Sequence, residues 1–180
     1  MRITKKESMG LVIDMQSRLY PFIHEHKKLT RNASILIKGL KEIGVPLMVT
    51  QQYTKGLGDT VDEIRDALGA YEVIEKMSFS CCDEPEFNED LAVSSKRYVI
   101  ITGIETHVCV LQTVIDLIHQ AYVPVVVEDC VASRSMNDKN VAMERMRKEG
   151  AVITTYESLL FELLRTSGTD TFRAISKLVK

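Results

Sequence analysis

Short, continuously apolar runs recur along this chain between stretches of helical period, and no other feature limits its fold so strongly. Residues 10–15 (GLVIDM), 47–52 (LMVTQQ), 72–76 (YEVIEK from its second residue), 97–103 (RYVIITG), 123–128 (VPVVVE) and 151–155 (AVITT) read as strands. A strand that is apolar on both sides has no solvent face, so it belongs in a parallel sheet covered by helices above and below. The intervening stretches supply those helices. In residues 29–43, Leu29, Ala33, Leu36, Leu40 and Ile43 share one face, and Gly44 and Pro46 end the pattern. Helices are also expected over 60–68, with Thr60 as cap, and over 106–120, 137–149, 157–164 and 170–178. The result is a doubly wound α/β sandwich of five or six strands. With 180 residues and no linker, repeat or low-complexity stretch, one domain spanning 1–180 is expected.

Charge and composition narrow the partners. Lys and Arg number 23 against 25 Asp and Glu, a net charge of −2. Such a chain has no basic excess with which to displace counterions from a polynucleotide, so a small-molecule substrate is expected and nucleic acid is not. No apolar run approaches the ~20 residues needed to cross a bilayer, so no membrane partner is expected. Residues 1–9 (MRITKKESM) are followed by an apolar run too short for a leader, which with four unpaired-looking cysteines points to a reducing, cytoplasmic setting. Adjacent Cys81 and Cys82 do not suit a mutual disulfide, and neither they nor Cys109 and Cys130 have zinc-site spacing. His24 and His26 stand two apart in a stretch rich in Lys and Glu, where a solvated loop is the plainer reading than a metal site.

In doubly wound sheets ligands sit beyond the carboxyl ends of the strands, near the point where strand order reverses. Three chemically active residues fall at such ends: Asp14 after the first strand, Lys76 at the end of the third, and Cys109 in the first helical turn after the fourth. Each alone has a bland reading, as a turn residue, a solvated charge and a core thiol. Together they form an acid, a cation and a nucleophile. A free thiol has a pKa of ~8.5 and is a poor nucleophile until deprotonated. A helix amino terminus favours the thiolate by roughly 0.3–1 kcal/mol, which is less than one pKa unit. A nearby ammonium is therefore expected to stabilise the anion further, with Asp14 accepting and returning the proton. Residues 53–59, with two glycines, read as a flexible loop at the end of the second strand.

The segment GIETHVCVLQT around Cys109, with LVIDMQ around Asp14 and EKMSFS around Lys76, resembles the isochorismatase-like cysteine hydrolase superfamily over about the whole chain. Gln51-Gln52-Tyr53, Lys55-Gly56-Leu57-Gly58, Phe79-Ser80-Cys81-Cys82 and Leu160-Phe161-Glu162-Leu163-Leu164 are similar to its isochorismatase domain-containing members of unassigned substrate. The resemblance implies a three-layer αβα sandwich of Rossmann-like order. It implies Cys109 as nucleophile, Asp14 as proton acceptor and Lys76 as the cation that steadies both. It further implies a cis peptide between Ile104 and Glu105, an oxyanion hole from the N–H groups of Glu105 and Cys109, and a homo-oligomer.

Where nicotinamidases of that superfamily carry a metal-binding Asp and His, this chain has Thr50-Gln51-Gln52-Tyr53-Thr54. A site without metal or other cofactor is expected, and nicotinamidase activity is not. Isochorismatases proper lack the cysteine, so Cys109 argues against isochorismate. The expected reaction is hydrolysis of a C–N bond in a small amide, imide or carbamoyl compound through a Cys109 thioester. From position, Gln52, Tyr53, Phe79 and His107 are the expected pocket wall. The alternatives are a catalytically idle oligomeric binding or scaffold protein, and a redox role for Cys81, Cys82 and Cys109.

Overall fold

A computed structural model describes residues 2–180; Met1, first residue of the segment read for a leader, lies outside the described residues. Six strands form one wholly parallel sheet: β1 (Ser8–Ile13), β2 (Leu47–Gln52), β3 (Ile74–Lys76), β4 (Tyr98–Ile104), β5 (Val123–Ala132) and β6 (Val152–Thr154). Their order is β3-β2-β1-β4-β5-β6, so the direction of winding reverses between β1 and β4. Eight α-helices are present among the described residues: α1 (His26–Ile43), α2 (Thr54–Leu57), α3 (Asp62–Leu68), α4 (Pro85–Ser94), α5 (Leu111–His119), α6 (Met136–Glu149), α7 (Tyr156–Leu164) and α8 (Asp170–Leu178). The architecture is the three-layer αβα sandwich expected, with Rossmann-like strand order.

The apolar runs are explained by burial on both faces. Along β1, Leu11 and Ile13 enter one core with α4, α5 and α6, while Val12 enters another with α1 and α3. Along β4, Val99 and Ile101 face α5 and α6, and Tyr98 and Ile100 face α1 and α7. Every residue of β1 and β4 is buried. Alternating side chains on a pleated strand can fill two cores only when helices cover both sides.

Three elements depart from the sequence reading. Helix α4 was not anticipated, because its charged segment carries only Phe87 and Leu91 into the core. Thr60 does not cap α3, whose N-cap is Val61; the Thr60 hydroxyl is buried and accepts from Gln51 Nε2 at 2.9 Å. The stretch 53–59 is tied down rather than loose. Tyr53 takes a left-handed conformation (φ 37°), α2 makes one turn, and Gln16 Nε2 donates to the Gln52 and Gly58 carbonyls. Arg18 Nη1 adds bonds to the carbonyls of Lys55 and Gly56.

Strand β5 also runs four residues past its expected end. Ile101 pairs with Val126 but Gly103 pairs with Val131, so β5 bulges outward through its acidic residues Glu128 and Asp129 before rejoining β4. The bulge is fastened by the Thr102 hydroxyl on the Cys130 carbonyl (2.6 Å) and by the Asp129 carboxylate accepting from Tyr156 N–H (3.0 Å). Bulges re-aim the chain that follows, and here the chain that follows is Ser133 and Arg134.

Gly103 lies opposite Ile13 where the sheet changes winding direction, and a Cβ there would sit 2.5 Å from the Ile13 carbonyl oxygen. The obstacle is backbone and cannot swing aside. Gly103→Ala is expected to cost about 2 kcal/mol, in the range of overpacked cores, and to lower Tm by roughly 4–8 °C for a chain of this size. Urea and thermal unfolding followed by circular dichroism measure both.

Candidate active site

Asp14, Lys76 and Cys109 come from the carboxyl ends of β1, β3 and β4, and they meet. Asp14 turns off β1 in a left-handed conformation (φ 52°) that carries its carboxyl group over the sheet edge. Its Oδ1 accepts from the Thr50 hydroxyl at 2.8 Å, and its Oδ2 lies 2.7 Å from Lys76 Nζ. The Lys76 ammonium also donates to Gln52 Oε1 (2.7 Å) and reaches the Ser78 and Phe79 carbonyls (3.2 Å each). Both ion-pair side chains are sealed from solvent, at 0% exposure for Lys76 and 2% for Asp14. An ammonium survives such burial only when its three N–H groups are all matched to acceptors.

Cys109 sits in a π-helical turn, Thr106–Val110, that leads into α5. Its thiol is buried and lines the same cavity as Asp14, close enough for the carboxylate's charge to bear on it. The residue before the turn, Glu105, is left-handed (φ 56°, ψ 56°), and the Val108 N–H closes back onto its carbonyl at 2.8 Å. The peptide between Ile104 and Glu105 is trans, not cis as the resemblance implied. Left-handed Glu105 makes the reversal from strand to helix instead.

A cavity of about 340 Å³ opens onto this group, and Asp14, Cys109, Gln52 and Phe79 line it. Two of the four expected wall residues are thus in place. Gln52, however, spends its polar atoms on the scaffold: Oε1 on Lys76 and Nε2 on the Met77 carbonyl at 2.8 Å. Tyr53 and His107 are not in the wall. Left-handed Tyr53 swings its ring against Gly56, where a Cβ would meet it at 2.2 Å. The π turn aims His107 at the chain after β5, with Nδ1 2.9 Å from Ser133 Oγ and 3.3 Å from Glu105 Oε2.

Sequence reading missed the side chains of Glu105 and Arg134, both of which line the cavity. Arg134 Nε donates to Glu105 Oε1 at 2.8 Å. Apolar Leu19, Leu57, Ile104 and Val108 complete the wall. The signal for Arg134 was its place at a strand end, hidden because β5 had been ended at Glu128. His24 and His26 do not form a pair: the His24 N–H is bonded to the Ser133 carbonyl, while the His26 ring packs edge-on against Tyr20 with Nδ1 on the Ile23 carbonyl.

Comparison with known proteins identifies the family. The family model described as isochorismatase domain matches residues 8–158. The chain belongs to the isochorismatase family. Isochorismatase family protein 1B of Dictyostelium discoideum is 34% identical over 184 residues, covering 99% of this chain and 89% of that protein. Isochorismatase domain-containing protein 1 of Danio rerio is 39% identical over 174 residues, covering 96% of this chain and 61% of that one. A relative from Phytophthora sojae, 36% identical over 99% of this chain and 87% of its own length, is called a secreted isochorismatase effector. Among solved structures, one called MAR1 ribonuclease from Caenorhabditis elegans superposes with a TM-score of 0.94 at 34% identity, over 99% of this chain and 92% of that one. YcaC from Escherichia coli, described as an octameric hydrolase of unknown specificity, has a TM-score of 0.92 at 22% identity, over 98% and 90%, and shares the fold.

In this isochorismatase-family site the electrostatics differ from the sequence expectation in one respect. The Cys109 thiol is not held as a thiolate. Burial pushes its pKa up, the Asp14 charge pushes the same way, and Lys76 only partly offsets them. Cys81, entirely buried with its Sγ 3.9 Å from the Thr50 hydroxyl, is pushed up to about 11 by burial and by Asp14. Burial pulls Lys76 down, but Asp14 and the sulfurs of Cys109 and Cys81 outweigh it and leave the ammonium firmer than usual. The helix terminus and one cation do not suffice because burial and the Asp14 charge together outweigh them.

Alkylation of Cys109 by iodoacetamide should therefore rise with pH through the ordinary thiol range without levelling near 8.5. Asp14→Asn removes a negative charge beside the sulfur and is expected to move the inflection down. Lys76→Met is expected to move it up and, by stranding Asp14 as a buried charge, to cost about 3–5 kcal/mol of stability. Mass-spectrometric alkylation rates against pH, with urea unfolding of each variant, test the three signs.

Proposed function

We propose that the protein hydrolyses a C–N bond in a small amide, imide or carbamoyl compound through a thioester on Cys109, without a metal or organic cofactor. The placing of the buried Cys109 thiol in one cavity with an Asp14 carboxylate pinned by Lys76 and Thr50 is the observation that carries this reading. A thiol so placed loses its proton to Asp14 as its sulfur attacks the substrate carbonyl, so no free thiolate is required beforehand. The carbonyl oxygen becomes an oxyanion, for which the N–H groups of Glu105 and Cys109 are the proposed donors. Asp14 then gives the proton to the departing nitrogen, the C–N bond breaks and a thioester remains. A water molecule, deprotonated by Asp14, attacks that thioester; the C–S bond breaks, the acid leaves, and the proton returns to sulfur.

The cavity volume of about 340 Å³ lies at the small end of ligand sites and supports a substrate of metabolite size. The ribonuclease name of the C. elegans protein raises RNA as a second substrate class. A net charge of −2 and a cavity of that size favour the small amide. A cytoplasmic homo-oligomer remains our proposal for setting and assembly. The support for assembly is the exposed apolar surface of Phe22, Met77 and Phe79. No helix among the described residues is long and apolar enough to cross a membrane.

Incubation with a panel of small amides, quenched in acid, is expected to yield an acyl adduct on Cys109 by peptide mass spectrometry. Cys109→Ala and Asp14→Asn should each lower turnover by about 10³-fold or more, in keeping with loss of a nucleophile or its base. Full turnover by Cys109→Ala would rule the mechanism out. Absence of any adduct, with a folded protein, would favour the idle scaffold.

A further inference from the structure

At the end of the sheet away from Cys109, the outer edge of β2 is left open. The Gly10 N–H donates to the Pro46 carbonyl and the Asp14 N–H to the Thr50 carbonyl, so the even-numbered residues of this stretch turn their backbone groups towards β1. Alternation along the strand turns Leu47, Val49 and Gln51 the other way. Strand β3 pairs only with Thr50, Gln51 and Gln52, which leaves the Leu47 N–H and C=O and the Val49 N–H without a backbone partner among the described residues. Val49 is only 2% exposed, and an enclosed backbone N–H costs free energy until something accepts from it. A cavity of about 570 Å³ lies along this edge, lined also by residues 70–73, which belong to no strand.

We propose that this groove receives an extended, basic segment of a partner protein, which adds to β2 as a further strand in line with β3. Strand addition draws affinity from backbone bonds and specificity from the walls that alternate side chains meet. The two walls here differ. On one side Leu47, Val49 and Leu68 belong to the core shared with α1 and α3. The one cation in the lining, Lys41, is spent there, its Nζ donating to the Ala67 and Leu68 carbonyls at the end of α3. On the other side stands α4, whose Glu86 and Asp90 are one turn apart and both line the groove, and Glu72 lines it from the segment before β3. All three carboxylates are exposed, and none has an ion-pair or hydrogen-bond partner among the described residues. Lys or Arg at every second position meets these carboxylates, while the apolar side chains between turn towards Leu68. Acidic side chains beside an open edge also keep like edges apart. That repulsion disfavours a second copy of this edge as the occupant and admits a cationic strand. The groove lies at the amino ends of the strands, so its occupancy does not depend on the amide-hydrolase reading.

The probe is a short capped peptide alternating lysine and valine, followed by fluorescence anisotropy. Saturable binding to the wild-type protein is expected, about tenfold or more tighter than for the counterpart with glutamate in place of lysine. Glu86→Lys combined with Asp90→Lys, exposed changes whose folding circular dichroism checks, should weaken binding by about tenfold. N-methylation separates backbone pairing from charge attraction: methyl groups on the alternate amides of one peptide edge should cost about tenfold, and on the other edge little. Hydrogen exchange read at single residues should show the Leu47 and Val49 amides open in the free protein and slowed when the peptide is bound. Lack of saturable binding, binding indifferent to the double charge reversal, or equal binding of the two methylated peptides would each overturn the proposal. Leu47 and Val49 amides already protected in the free protein would overturn it too, because residues 70–73 or a second copy would then close the edge.

Discussion

The buried ion pair between Lys76 and Asp14 is the contact on which the rest of the site depends. Withdrawing an ammonium and a carboxylate from water costs several kcal/mol for each ion, so such a pair persists only where other groups complete its hydrogen bonding. Here Gln52, Ser78 and Phe79 supply acceptors to Lys76, and Thr50 supplies a donor to Asp14. These partners fix the spacing of β1, β2 and β3 at their carboxyl ends. A short edge strand of three residues, which would fray by itself, is thereby held in register with β2 through Thr50, Gln51 and Gln52.

That pair also bears on the protonation of Cys109, the proposed nucleophile. Lys76 and Asp14 together are neutral, and ionising Cys109 to solvent would leave a net negative charge in a site from which water is excluded. Transfer of the same proton to Asp14 leaves the charge of the three-residue cluster unchanged. The raised thiol pKa and a role for Asp14 as base are therefore one electrostatic fact viewed from two ends. A resting thiol of this kind is shielded from adventitious oxidants and alkylators, whose attack needs the thiolate. In the proposed mechanism reaction is reserved for a bound electrophile that can take up electron density from the sulfur as the proton leaves.

The parallel sheet and the three strand-end residues were legible in the sequence for a common reason, while the strand order came only from the family resemblance. Burial on both faces demands unbroken apolar runs, so a charged residue closing such a run, as Asp14 and Lys76 do, marks a functional edge. Legibility failed where the backbone departs from regular geometry. Left-handed Tyr53 and the π turn at His107 point side chains away from where a regular strand end or helix would put them. The β5 bulge carries Glu128 and Asp129 within a strand, and an acidic pair after VPVVV looks like its end. Arg134 was overlooked for that reason, and Glu105 was weighed only for its N–H. Helix α4 was invisible because two buried residues in ten make too weak a periodic signal.

The cavity is thus built from two unlike parts of the sheet. Asp14, Lys76 and Cys109, the proposed reacting groups, stand at the ends of β1, β3 and β4, where regular pairing and burial leave little freedom to move. Arg134 stands beyond an irregular strand whose course is set by a bulge, a hydroxyl–carbonyl bond at Thr102 and a carboxylate at Asp129. Bulged chain can change in length or sequence without disturbing the parallel register of β1 and β4, whereas a shift in that register would move Cys109 away from Asp14. A fold built this way can hold the ends of β1, β3 and β4 constant while the chain after β5 reshapes the cavity wall.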